Sequence, residues 1–241
     1  GDMAAASCLC SEMVTRRGWF QCGGPNPYRI AGKRTFAYGI VQQLGRAPDT
    51  VLIPCGGGAG LVAAYDGFRE LVAAGIIERL PRLVGVQLAA CDPTARAFRE
   101  GRDTVTPVDK KPSLSDAIMN NNPYWGRYCL EAVRASGGTM ISVSDADFLR
   151  TIRELGREEG LFTEPAGCVS VAALRHLVEM PGFEDPGLTV CNLTGHGLNV
   201  PHVAADENEI PGLVVPAVEA VEAFLRGAGA CASATSTTSR R

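Results

Sequence analysis

Four glycines in five positions, Gly56-Gly57-Gly58-Ala59-Gly60, follow the short apolar run Val51-Leu52-Ile53-Pro54-Cys55 and lead into Leu61-Val62-Ala63-Ala64. This order reads as a buried strand, a loop with no bulky side chain, and the start of a helix near Gly60. Without Cβ atoms the backbone turns sharply and a ligand can approach it closely. The loop amides and the first helical turn leave N–H groups without partners, which suits an anion, most often a phosphate. A ligand-free strand-to-helix turn is the alternative, and it needs fewer glycines.

Residues beyond the loop constrain the kind of phosphate. A dinucleotide site calls for an acidic residue about 20 or more positions on, at the end of the next strand. That strand, Leu83-Val84-Gly85-Val86-Gln87, ends on a neutral glutamine. A triphosphate loop calls for Lys-Ser or Lys-Thr after its last glycine, where this chain has Leu61-Val62. A cofactor with one terminal phosphate, held mainly by backbone, remains.

Composition narrows the class further. A chain of 241 residues supports one large domain or two small ones. A net charge of -3 gives no reason to expect a nucleic acid or an acidic membrane surface as partner. No apolar run reaches the roughly 18 residues of a membrane helix. The nine cysteines show neither paired CxxC motifs nor metal-ligand spacing, so free thiols in a reducing, cytoplasmic compartment are expected, with no metal. Gly1-Asp2-Met3 shows no initiator methionine, signal peptide or transit peptide, and the chain reads as beginning inside a longer protein.

Taken in order, helices are expected over 3–17, 33–44, 61–74, 93–100, 124–135, 145–158, 168–179 and 214–226. Strands are expected over 50–54, 83–87, 139–143 and 189–193. Residues 102–123, with three prolines and the run Asn120-Asn121-Asn122, form a loop that lines a cleft. Strands alternating with helices make an α/β fold: an open, mostly parallel twisted sheet with helices on both faces. The domain is expected to span 1–226, and 227–241, rich in Ala, Ser and Thr, to be a disordered tail. The last strand delivers Thr194-Gly195-His196-Gly197 at its carboxyl end, where open α/β sheets bind ligands.

These segments together resemble a known family. The match runs through Gly18-Trp19-Phe20, Asn26-Pro27-Tyr28-Arg29-Ile30, Gly67-Phe68-Arg69-Glu70-Leu71, Leu80-Pro81-Arg82-Leu83-Val84-Gly85-Val86-Gln87 and Ala132-Val133-Arg134-Ala135-Ser136-Gly137-Gly138. It continues in Glu158-Glu159-Gly160-Leu161-Phe162, Glu164-Pro165-Ala166 and Leu193-Thr194-Gly195-His196-Gly197-Leu198. Covering roughly residues 10–202, the ordered set resembles the threonine synthases, within the fold type II pyridoxal-phosphate enzymes of the tryptophan synthase β-subunit type.

The resemblance implies that Gly56, Gly57, Gly58, Ala59 and Gly60 hold the phosphate of pyridoxal phosphate. It implies that Thr194 sets its hydroxyl against the pyridine nitrogen, the alternative being a hydroxyl that caps local backbone at the strand end. His196 is expected to be a structural histidine rather than a base. Glu164 is either a wall of the site or a carboxylate at a helix start. Threonine synthases carry asparagines in the phosphate loop where this chain has Gly57 and Gly60, a glycine pattern closer to threonine dehydratases and serine racemases.

The family's covalent, Schiff-base lysine lies in a Ser-Phe-Lys-Asp-like segment of an amino-terminal domain, and this chain has no such segment. Its lysines are Lys33, Lys110 and Lys111, of which Lys33 is expected to be a surface or cleft cation. No catalytic residue is therefore assigned. The implied whole enzyme converts O-phosphohomoserine and water to threonine and phosphate, and this chain alone is expected to be inactive. The alternatives are a threonine or serine dehydratase, a cysteate synthase-like lyase, or a non-catalytic cofactor-binding subunit. An amino-acid substrate, a complementing amino-terminal polypeptide and a homodimer of the complete protein are the implied partners.

Overall fold

The computed structural model describes residues 3–24, 26–201 and 203, together with 218, 222, 223 and 226. Residues 1–204 form one compact unit and 205–241 a second. In the second unit the four described residues are helical, inside the helix expected over 214–226. The rest of that helix and the 227–241 tail lie outside the described residues.

The first unit opens with α1 (Met3–Arg17), which ends at Gly18 in the left-handed conformation. Two helices follow, α2 (Pro27–Lys33) and α3 (Thr35–Leu44), where the sequence suggested one helix over 33–44. Asn26 caps α2, its side chain accepting from Tyr28 N, and Pro27 occupies the first helical position, where a missing N–H costs nothing. The chain tightens at Arg34, whose amide bonds Ala31 O, three residues back.

Next come β1 (Thr50–Pro54), α4 (Ala59–Ala73), β2 (Arg82–Leu88) and α5 (Pro93–Arg99). Then come α6 (Gly126–Ala135), β3 (Thr139–Val143), α7 (Asp145–Glu154), α8 (Pro165–Val178) and β4 (Thr189–Cys191). A five-residue π turn, Leu155–Glu159, ends the helix expected to run to 158. Ser144 and Asp147 close a capping box at the start of α7.

The four strands form one parallel sheet in the order β3-β2-β1-β4. Alternate residues feed two cores. Val51, Ile53, Leu83 and Met140 pack under α2 to α6, around Phe68 of α4. Leu52, Val84, Val86, Ile141 and Val143 pack under α7 and α8, around Phe148 and Leu177. Burial on both faces explains why the strands are apolar runs rather than alternating ones. The α/β fold with helices on both faces is as the sequence implied. β2 and β3 follow on one side of β1, while β4 lies on the other. The order therefore reverses between β1 and β4, and a crevice opens there at the carboxyl ends of the strands.

The opposite end of the sheet is tied by Asp49. Its carboxylate accepts from Leu188 N at 2.9 Å and pairs with Arg79, while Arg82 N donates to its carbonyl at 3.0 Å. The leads into β1, β2 and β4 thus share one residue. The hydrogen bond from Leu188 N, followed by that from Arg79, holds the carboxyl below its ordinary value of 3.8. A depressed folded pKa contributes stability above the unfolded value and loses it as pH falls through the folded one. Asp49→Asn is expected to lower the urea midpoint at neutral pH, by an amount that shrinks as pH falls below about 4. A deficit independent of pH would show that the charge is not what ties the strands.

Candidate functional site

The glycine loop connects β1 to α4. Gly58 stands at the helix N-cap with φ of 92°, and no side chain caps the helix. The amides of Ala59, Gly60 and Leu61 accordingly make no hydrogen bond to any described residue. The loop carbonyls, by contrast, are tied back into the protein. Cys55 O accepts from Gln87 Nε2 at 3.0 Å, and Gly57 O accepts from Trp125 N at 3.2 Å. Gly58 O lies 3.5 Å from Cys129 Sγ, which in turn lies 3.9 Å from Cys55 Sγ. The bond with Cys55, together with burial, pushes the Cys129 thiol well above its ordinary value, so it keeps the proton that it donates. With carbonyls held on one side, the amides are left to the other, an arrangement that binds anions.

The amides border a cleft of about 450 Å³. Gly56, Gly57, Gly58, Ala59 and Gly60 all line it, and so does Thr194. Register explains the meeting. Leu52 pairs with Cys191, and Asn192 N continues the ladder to Leu52 O at 3.0 Å, which carries Thr194 level with the start of the loop. Gly167 and Gly195 permit a close approach there. A Cβ on Gly167 would meet Gly195 O at 2.6 Å, and Thr194 N bonds Gly167 O at 3.4 Å. The Thr194 side chain is exposed and its hydroxyl has no partner among the described residues, so it does not cap local backbone.

Glu164 and His196 stand apart from the cleft lining. Glu164 precedes Pro165 at the start of α8, and its carboxylate accepts from Asn199 Nδ2 at 2.7 Å. His196 Nδ1 accepts from Leu198 N at 3.1 Å, and its ring meets Phe162 edge-on at 5.5 Å. Both are engaged in local structure, and neither lines this cleft.

Several cleft residues carry no signal that strand and helix periodicity detects. Arg29 and Lys33 project from α2, one turn apart, and line the cleft without an ion pair among the described residues. The pair Asn26-Pro27, a capping residue before a helix-starting proline, is the signal that could have found that helix, which the reading of one helix over 33–44 missed. Ile118 and Asn120 come from the loop expected to line a cleft, and they do so, while Trp125 follows that loop at the N-cap of α6. The Trp125 indole N–H is buried without an acceptor among the described residues.

The model of a family described as pyridoxal-phosphate dependent enzyme matches residues 1–195. The chain belongs to that family. Among its relatives is a threonine synthase of Methanosarcina acetivorans, 33% identical over 94% of this chain and 56% of that protein. Another is a threonine synthase of Methanocaldococcus jannaschii, 35% identical over 88% of this chain and 52% of that protein. Maize serine racemase shares the fold, with a TM-score of 0.70 at 13% identity, over 86% of this chain and 60% of that one. The chain thus spans about half the length of the curated relatives it matches.

No helix among the described residues is long and apolar enough to cross a membrane, and no group of metal-ligating side chains gathers among them. The described cysteines are free. Burial pushes the thiols of Cys168 and Cys191 up to about 11, which keeps them protonated and unreactive at neutral pH.

Proposed function

We propose that the chain is the phosphate-binding part of a threonine synthase, which converts O-phosphohomoserine and water to threonine and phosphate. The observation that carries this reading is the shared cleft. The uncapped amides of Ala59 and Gly60 border the same cleft as the free hydroxyl of Thr194. Those donors, with no side chain among them larger than the methyl of Ala59, fit the phosphate of pyridoxal phosphate, and Thr194 fits its ring nitrogen. Each charge-assisted hydrogen bond is worth roughly 1.5–3 kcal/mol, so several suffice for reversible binding. Bound in this way, the cofactor supplies an electron sink for charge that develops beside an amino group. Arg29 and Lys33, both cationic and unpaired among the described residues, suit the anionic groups of an amino-acid phosphate. Threonine synthases among the relatives support this choice of substrate.

The lysine that holds the cofactor covalently is assigned to polypeptide outside these 241 residues, and the complete enzyme is assigned as a homodimer. A positioned acid–base group contributes about 10²–10⁴-fold in rate, so this chain by itself is expected to bind without turnover. Free cysteines are in keeping with a cytoplasmic setting.

The test is to titrate the chain with pyridoxal phosphate, reduce with borohydride, and map adducts by mass spectrometry. Reversible binding is expected, with no stoichiometric adduct and no threonine formed from O-phosphohomoserine. Supplying the lysine-bearing amino-terminal half of a relative is expected to yield threonine. A stoichiometric adduct on Lys33 with turnover would overturn the assignment of the lysine. The glycines at 57 and 60 favour a second reading, a threonine or serine dehydratase, and ammonia released from threonine or serine by the complemented enzyme would select it.

A further inference from the structure

The glycine loop offers backbone donors only, because neither Gly57 nor Gly60 carries a side chain. Yet the space beside Gly57 is filled. A Cβ built on Gly57 would lie 3.3 Å from Asn120 Nδ2. The amide of Asn120, from the irregular segment before α6, therefore stands where a side chain at position 57 would project. Asn120 is half-buried and lines the same cleft.

Its orientation is fixed by what the other end of the amide does. Asn120 Oδ1 accepts from Asn122 N at 3.1 Å, and Asn120 N donates to Ile118 O at 3.0 Å. Since the oxygen is engaged by a backbone N–H, the NH₂ end is the one turned toward Gly57. That nitrogen donates to no acceptor among the described residues. A donor with no partner, held against a loop whose own amides are unpartnered, marks the edge of an anion site.

We propose that Asn120 Nδ2 is a further donor to the cofactor phosphate, supplying from a distant segment the side-chain amide that the loop lacks. This rests on the reading of the loop as a phosphate site. A merely structural role for Asn120 is the turn it closes onto Asn122. Aspartate serves that turn equally well, because it keeps the acceptor. It also sets a carboxylate where the amide donor stood, so Asn120→Asp separates the two roles.

The experiment titrates the 241-residue chain with pyridoxine 5′-phosphate and, separately, with pyridoxine, by calorimetry. Neither probe has an aldehyde, so adducts on lysine do not enter. Wild type is expected to prefer the phosphate ester. Asn120→Asp is expected to weaken binding of the ester by roughly tenfold to a hundredfold, the range of a charge-assisted hydrogen bond, and to leave pyridoxine unchanged. Asn120→Ala is expected to weaken the ester by about tenfold or less, since water can enter the space left behind.

Thermal melts of the variants accompany the titrations, and Asn120→Ser serves if Asn120→Asp does not fold. An unchanged affinity for the ester in Asn120→Ala, against a wild type that does discriminate, would overturn the role of Asn120 alone, because the carboxylate of Asn120→Asp repels a nearby phosphate whether or not the amide donates. Equal weakening of both ligands would reduce Asn120 to its turn. A wild type that holds pyridoxine as tightly as its phosphate ester would overturn the phosphate site itself, and the inference with it.

Discussion

Gly58→Ala is expected to destabilise the chain by about 2–4 kcal/mol and to abolish its preference for a phosphorylated ligand. Two costs add at this position. The backbone has φ of 92°, outside the range that side chains tolerate. The new Cβ would also lie 2.5 Å from Cys129 Sγ and 3.0 Å from Trp125 Cβ. Neither neighbour can retreat freely. Cys129 is fully buried on α6, and Trp125 N is bonded to Gly57 O. Relief of either cost moves the carbonyls of Gly57 and Gly58, and with them the amides that face the cleft.

Gly60→Ala is the matched control. Its Cβ would find only Ile53 Cγ2, at 3.9 Å, an ordinary contact within a helix that alanine favours. Urea unfolding of both variants should therefore show a large loss at 58 and a change within about 0.5 kcal/mol at 60. Adding Cys129→Ala to Gly58→Ala should recover part of the loss, by removing the sulfur the new methyl strikes, and leave the dihedral cost in place. Equal losses at 58 and 60 would mean that the loop is not shaped as described.

The parts of this fold that were legible are those with local chemistry to announce them. β1 and β3 fall on the residues expected, because apolar runs between glycine or proline turns leave little choice of boundary. α1 stops where Gly18 supplies a left-handed residue. Prolines mislead in two places. Pro27 and Pro165 each stand at the first position of a helix, where a proline fits, although both lie outside the helices expected from periodicity. The π turn at Leu155–Glu159 has no sequence cue and answers to packing, since Leu155 is buried under α8.

Within the cleft, Gly56 to Gly60 and Thr194 were legible as neighbours, because both follow strands of one parallel sheet and ligands gather at that end. Arg29, Lys33 and Asn120 were not, since a short helix and an irregular loop bring them in through tertiary contacts alone. Lys33 shows the limit well. Its sequence context allows a surface or a cleft position, and only its place on α2 decides for the cleft.

Gln87, the neutral strand end that excludes a dinucleotide site, has a second task in the structure. It is fully buried, and its amide joins three groups. Nε2 donates to Cys55 O at 3.0 Å, while Oε1 accepts from Thr94 N and Ala95 N, each at 2.9 Å. The cap residue of α5, Asp92, makes no side-chain cap bond, so a glutamine on the neighbouring strand caps the helix in its place. One side chain thus holds both the start of α5 and the lead into the glycine loop.

Gln87→Leu keeps the apolar volume and strands three buried polar groups at about 1–3 kcal/mol each, for an expected loss of about 3–6 kcal/mol. Gln87→Glu divides the task. Its carboxylate still accepts from Thr94 N and Ala95 N, next to the positive end of α5, but it faces Cys55 O with an oxygen instead of a donor. Only the protonated carboxyl restores that donor. Burial and the facing carbonyl raise the folded pKa of the introduced group, and the Thr94 and Ala95 N–H donors lower it. Where the first two outweigh the donors, the stabilising form is present at low pH and is lost as pH rises through that value. The deficit of Gln87→Glu against wild type should therefore be small near about pH 4 and grow to about 2 kcal/mol by neutrality. If the deficit is instead the same at every pH, the bond to Cys55 O is not holding the loop, and the glycine backbone keeps its shape through Trp125 and Cys129 alone.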